Sequence, residues 1–239
     1  MTVPAVELIG ASIGHEHRPL VGDLDLRVEA GGLLVVMGTN GSGKSTLLKT
    51  LAGLLAPVAG TVRVLGADAG RSPARVAYLP QHPPRTFALP LRAGDVVAMG
   101  RFARLGLLRR PAAADRLAVE RAMARTGVTP FARQPLRQLS GGQQQRAHLA
   151  QVLARDADLL LLDEPTAGLD AGGRAAVADV VAEERARGAA VVLATHDLDD
   201  AVHADEVLLV ARRVVALGPP GEALSDEHLR ECYGFTDRH

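Results

Sequence analysis

Apolar positions along this chain follow three rhythms. Residues 33–37, 159–162 and 189–194 are apolar throughout, which predicts short strands buried on both faces. Residues 24–28 and 61–65 alternate, and 6–9 do so loosely, which predicts strands buried on one face. Leu117, Val119, Ala122 and Met123 recur at helical spacing within about 112–126, before Gly127, and helical runs follow at 147–154, from 170 to about 187, and at 198–203. Residues 75–79 read as a strand ended by Pro80, 206–210 and 214–217 as closing strands, and 219–239 as a tail with one short helical segment. Buried strands alternating with helices predict an α/β fold: a mostly parallel core sheet, a small antiparallel β lobe around the 33–37 strand, and a helical lobe at about 82–155 inserted in the core. We read 1–239 as a single domain.

Each fully apolar run ends in residues that carry chemistry. The first leads into Gly38-Thr39-Asn40-Gly41-Ser42-Gly43-Lys44-Ser45-Thr46, a phosphate-loop pattern followed by a helix-compatible stretch. Its glycines let successive N–H groups turn inward around an anion, and the helix start adds its positive end. Lys44 is expected at the β- and γ-phosphates, and the Ser45 hydroxyl on Mg²⁺. The second run ends in Asp163 and Glu164, suited respectively to holding Mg²⁺ through water and to acting as general base on an attacking water. The third delivers Thr195-His196-Asp197, where His196 can contact the γ-phosphate. Gln81, just past Pro80, can reach a metal-bound water or the γ-phosphate.

Other candidates lie outside those runs. Leu139-Ser140-Gly141-Gly142-Gln143 precedes a helix; Ser140 and Gln143 form a capping box, and the N–H groups beside two glycines offer a second anion site. Asp170, after Thr166-Ala167-Gly168-Leu169, is placed to cap the next helix. His15-Glu16-His17-Arg18-Pro19-Leu20 reads as a short polar break between strands. Two histidines around a glutamate suggest a metal, but no further ligand is near in sequence, so His15 is assigned to the adenine region or to plain surface.

Composition removes several classes. Among 239 residues, 27 basic and 27 acidic side chains cancel, so no net field draws the chain to nucleic acid or an anionic bilayer. Cys232 is the only cysteine, which excludes an intrachain disulfide and favours a reducing compartment. The N-terminal residues lack the pattern of a secretory signal, and no apolar run approaches the ~20 residues that span a bilayer, so a cytoplasmic location is expected, with any membrane role exerted through a partner. Phe87, Leu89, Met99, Phe102, Leu105 and Leu107 are candidates for a partner groove or for the small core of the helical lobe.

Taken in order, the motifs resemble those of the nucleotide-binding subunit of ATP-binding cassette (ABC) transporters over about residues 3–225. The phosphate loop spans 38–46; Gln81 matches the Q-loop, Leu139 to Gln143 the signature, Asp163 and Glu164 the Walker B strand, Gly168-Leu169-Asp170 the D-loop, and His196 the switch histidine. The resemblance implies a P-loop nucleotide-binding domain that hydrolyses ATP with Mg²⁺. It also implies a head-to-tail homodimer in which Ser140, Gly141 and Gly142 of one subunit close on ATP held by Lys44 of the other, with Gln143 and Asp170 at the same interface. One departure is visible: the family stacks an aromatic residue on adenine about 29 residues before the lysine, where this chain has His15.

The helical lobe narrows the branch. Phe87-Ala88-Leu89-Pro90-Leu91, Asp95-Val96-Val97-Ala98-Met99-Gly100-Arg101 and Leu107-Leu108-Arg109-Arg110-Pro111 resemble stretches in ATPases of zinc and manganese importers. Iron-siderophore and haem importers share Asp95-Val96-Val97 and Gly100-Arg101. The implied partners are integral membrane permease subunits and, indirectly, an extracytoplasmic metal-binding protein, with the chain on the inner face of the cell membrane. The alternatives are the ATPase of an iron-siderophore or haem importer, or a soluble cassette ATPase acting on nucleic acid or ribosomes. One set of motifs, no sustained heptads and neutral charge disfavour the latter, so no nucleic-acid partner is expected.

Overall fold

A computed structural model describes residues 3–82, 90–105 and 110–234. Its N-terminal part runs β1 (Val6–His15), β2 (Arg18–Val28), β3 (Leu33–Met37), α1 (Lys44–Leu51), β4 (Ala59–Val64), β5 (Ala67–Asp68) and β6 (Val76–Leu79). Four helices follow: α2 (Ala93–Met99), α3 (Phe102–Leu105), α4 (Ala113–Arg125) and α5 (Gly141–Ala154). The chain then continues through β7 (Leu159–Asp163), α6 (Ala171–Ala186), β8 (Ala190–Thr195), α7 (Leu198–Ala201), β9 (Glu206–Val210), β10 (Val214–Gly218), α8 (Pro220–Ala223) and α9 (Asp226–Tyr233).

The fully apolar runs are the inner strands of a six-stranded sheet ordered β10-β9-β3-β8-β7-β6. Its pairs are parallel except β9 with β10. Alternate side chains of one strand enter different cores. Leu34, Val36, Leu159, Leu161 and Val192 pack with Leu47, Leu48 and Leu51 of α1 and with the antiparallel lobe, whereas Leu33, Val35, Met37, Leu160 and Leu162 pack with α5 and α6. Both faces are covered, which is why these strands show no polar alternation. The second sheet, β2-β1-β4-β5, is antiparallel and alternates as expected for one buried face.

The helical lobe is fastened to the core by arginines. Arg101, 7% exposed, donates to Asp115 Oδ1 at 2.9 Å and to the Ala154 carbonyl at 2.9 Å, so α4 and the end of α5 share one guanidinium. Arg155 donates to the Val76 carbonyl at 2.6 Å, joining α5 to the edge strand β6.

Four expectations change. The polar stretch at 15–20 is not a break between strands: β1 and β2 continue to a two-residue turn at Glu16 and His17, whose φ values of 48° and 63° match a left-handed hairpin turn. Register shifts after Leu8 and Ala11 interrupt the alternation in β1, which hid its length from the sequence. The tail holds two helices, α8 and α9, rather than one. On α4 it is Ala118 and Ala122 that are buried, while Leu117 is 51% exposed. Met99 and Phe102 are also exposed and do not form a lobe core; Phe87, Leu89 and Leu107 lie outside the described residues.

Leu161 is fully buried in the middle of β7, where a cavity has little room to collapse. Leu161→Ala is expected to lower unfolding stability by roughly 2–5 kcal/mol, as read from a urea transition.

Candidate functional site

β3, β7 and β8 run parallel, so all three release their chemistry at one end of the sheet. Beyond Met37 the chain turns through residues 38–43 into α1. Gly38, at φ 152°, cannot carry a side chain: a Cβ there would lie 2.1 Å from the Val210 carbonyl oxygen. Gly43, at φ 123°, packs so that a Cβ would meet Val21 at 2.6 Å. No side chain caps the start of α1, which leaves its first N–H groups for an anion. Lys44 is 7% exposed and folds back across the loop, donating to the Gly38 carbonyl at 2.6 Å and the Thr39 carbonyl at 3.3 Å. Burial pushes its ammonium pKa down; Glu164 and Asp163 oppose that shift, which places both carboxylates within electrostatic reach of the lysine.

Asp163 ends β7 at 2% exposure, and Glu164 follows at 4% with φ 51°. The Glu164 N–H donates to the Ala194 carbonyl at 2.9 Å, fixing the turn against β8. Glu164 Oε2 lies 2.7 Å from His196 Nδ1, and the exposed His196 ring reaches solvent. One oxygen of Asp163 lies 3.5 Å from the Tyr78 hydroxyl, while Oδ1 is buried with no hydrogen-bond partner. Such an orphaned hard oxygen beside a phosphate cradle suits Mg²⁺. Among the described residues no group of three or more His, Cys, Asp or Glu could hold a metal ion. Gln81 is exposed, two residues beyond the Leu79–Leu162 pair and hence at the same sheet end.

His15 and the first turn of α1 meet: His15 Nε2 lies 3.3 Å from Thr46 Oγ1, with the ring exposed. The hairpin that carries His15 therefore overhangs the loop. Ser45 is half-buried at the start of α1, and Thr39, Asn40 and Gly41 are exposed while Ser42 is buried.

The Ser140–Gln143 turn lies elsewhere on the chain. Ser140 caps α5 reciprocally: the Gln143 N–H donates to its hydroxyl at 3.3 Å, and its own N–H donates to Gln143 Oε1 at 2.9 Å. Gly142 faces Leu169 and the Gly168 carbonyl, and Gln145 donates to the Pro165 carbonyl at 3.2 Å, so this turn packs against the segment after Glu164. Asp170 caps α6 by accepting from the Gly173 N–H at 2.8 Å. Among the described residues no hydrogen bond joins Ser140, Gly141, Gly142 or Gln143 to residues 38–46. One residue escaped the sequence reading: Tyr78 alternates as an ordinary strand residue.

A phosphate cradle with paired carboxylates at the sheet end defines a nucleotide-hydrolysing P-loop core. The ABC transporter family model matches residues 21–167 of this chain. A manganese transport system ATP-binding protein, MntB of Bacillus subtilis, is 38% identical over 96% of this chain and 92% of its own length. A zinc transport system ATP-binding protein, TroB of Treponema pallidum, is 36% identical over 98% and 88% respectively. A hemin import ATP-binding protein, HmuV of Streptomyces coelicolor, is 44% identical over 90% and 78%. The chain belongs to the ABC transporter family as an ATP-binding subunit, an ATPase that works with membrane permease components. Among the described residues no helix is long and apolar enough to cross a membrane.

The buried ammonium of Lys44 costs stability in the absence of ATP. Because its pKa is lowered on folding, the unfolded chain binds that proton more tightly, and the cost is relieved as pH rises from the lowered value into the ordinary lysine range. Lys44→Met is therefore expected to unfold no earlier than wild type without nucleotide at neutral pH, with any gain shrinking in alkali. It should also lose the ATP-dependent stabilisation, about 2.7 kcal/mol at a hundredfold excess over Kd, in a thermal-shift titration.

Proposed function

We propose that the protein powers import of a metal ion, manganese or zinc, by hydrolysing ATP on a pair of identical subunits. The observation that carries the metal assignment is that similarity to the manganese and zinc transport subunits runs through 96% and 98% of the chain. It therefore includes the helical lobe as well as the ATP-binding core. We treat residues 1–239 as one ATP-binding domain with the lobe at about 82–155 inserted, lying on the inner face of the cell membrane against its permease. An extracytoplasmic metal-binding protein would deliver the ion to that permease.

The site supports the following division of labour. The N–H groups of Gly38, Thr39, Asn40, Gly41, Ser42, Gly43, Lys44, Ser45 and Thr46 surround the phosphates, and Lys44 turns from the loop carbonyls to the β,γ-oxygens. Ser45, Asp163 and Gln81 would hold Mg²⁺, which when bound neutralises charge building on those oxygens. Glu164 takes a proton from the attacking water, and His196, held at 2.7 Å, orients that carboxylate and reaches toward the γ-phosphate. His15 lies against adenine. Ser140, Gly141, Gly142, Gln143 and Asp170 of a second copy complete the cradle and exclude water, and product release lets the pair open.

Import of haem or another iron chelate is the second reading, favoured by the 44% identity to the hemin import subunit. Cellular metal content separates the two. In a strain whose only copy carries Lys44→Ala, grown in metal-limited medium, manganese or zinc is expected to fall; a fall in iron alone selects the second reading, and no change in any of them removes both.

Glu164→Gln keeps the shape and loses the base. Turnover should drop by roughly 10²- to 10⁴-fold while ATP binding persists and dimer accumulates on a sizing column. Normal turnover would remove Glu164 as base.

A further inference from the structure

The His196–Glu164 contact joins a buried carboxylate to a ring that packing does not hold. The His196 side chain is 72% exposed, so the direction in which its ring leaves the chain is set by the backbone of the turn beyond β8. That turn is gripped on both sides of the histidine. Thr195, the last residue of β8, is fully buried, and its hydroxyl donates to Asp200 Oδ2 in α7 at 2.8 Å. The same hydroxyl oxygen accepts the Asp197 N–H at 3.1 Å, which closes the chain around His196. An ionised carboxylate only accepts, so the Thr195 proton points to Asp200 and a lone pair is left for the Asp197 N–H. Asp197 in turn caps α7 by accepting the Asp199 N–H at 3.0 Å. α7 is moored by Ala201, fully buried in the core that also holds Leu193 and Val207. One residue before Thr195, the Ala194 carbonyl accepts the Glu164 N–H at 2.9 Å. The end of β8 therefore carries both members of the pair: Ala194 holds the backbone of Glu164, and Thr195 holds the turn of His196.

We propose that Thr195 is a positioning residue for ATP hydrolysis, its hydroxyl, anchored on Asp200, fixing the turn that aims His196 at Glu164. The inference rests on Glu164 being the base and His196 the group that orients it. Thr195 touches no reacting atom in this scheme. An exposed imidazole keeps its rotamer freedom unless something restricts it, and fixing the backbone on either side narrows the arc over which Nδ1 can swing. A misplacement of about 1 Å near a reacting group is enough to cost ~10²-fold in rate. Residues 38–46 take no part in this set of bonds, so the effect falls on turnover and leaves ATP binding alone.

The test uses the full chain with Mg²⁺ and ATP. Thr195→Val keeps the shape of the side chain and removes its hydroxyl; kcat should fall about ten- to hundredfold with KM for ATP unchanged. Thr195→Ser, which restores the hydroxyl, should recover most of the turnover. In the nucleotide-free protein the ring resonances of His196 should shift when Glu164→Gln is introduced, and that response should vanish in the Thr195→Val background. Asp200→Ala removes the anchor and is expected to move both readouts in the same direction by a smaller factor; it serves if Thr195→Val does not fold. Wild-type kcat in these variants overturns the proposal. So does slow turnover that Thr195→Ser fails to restore, or that leaves the response of His196 to Glu164→Gln intact. His196→Ala is the control: if it turns over as wild type does, the role of the histidine fails and the proposal with it. If His196→Ala is slow while Thr195→Val is not, the proposal alone fails.

Discussion

The site depends on burying three neighbouring parallel strands on both faces. Once Leu34 and Val36 face α1 while Leu33, Val35 and Met37 face α5 and α6, no polar side chain can be carried within β3, and its chemistry must be placed beyond its end. In β7 and β8 polar side chains are confined to the last position of the strand, Asp163 and Thr195. Parallel pairing in register, Val35 with Leu193 and Leu161 with Val192, then brings Gly38, Asp163 and His196 to one edge although they are far apart in sequence. Hydrophobic burial thus acts on catalysis through geometry.

At that edge the electrostatics are held by partial desolvation. Lys44, Asp163 and Glu164 are each less than a tenth exposed, so their mutual attraction is stronger than in water, and each is costly to leave unpaired. Lys44 meets that cost by donating to carbonyls of its own loop, and Glu164 by its contact with His196. Asp163 meets only half of it, since Oδ1 has no partner. An unmet acceptor beside a cationic cradle is the arrangement a nucleotide with its ion would complete, and stability is surrendered there for that purpose.

The two helix starts that can bind anions are built differently. α1 begins without a side-chain cap, whereas α5 begins with the reciprocal Ser140–Gln143 box and its Gly142 faces Leu169 and Gly168. One leaves its first N–H groups without a side-chain partner, and the other is a finished turn with exposed polar groups. Joining them through a second copy is the reading under which neither is redundant.

Much of this was legible in the amino-acid order because it is local. Apolar runs longer than alternation permits, a glycine-rich turn before a lysine, a serine three residues ahead of a glutamine, and carboxylates at a strand end all act over a few neighbouring residues. The chain by itself therefore determined the elements, the phosphate loop and the acid–base candidates. What it left open depends on contacts between distant segments. Bulges in β1 concealed a strand that carries His15 to Thr46, and Ala118 was chosen over Leu117 by the packing of α4. Tyr78 gains its relation to Asp163 only after β6 pairs with β7. Those placements rest on non-local burial and register, for which no spacing along the chain is a signal; only the tertiary structure decided them.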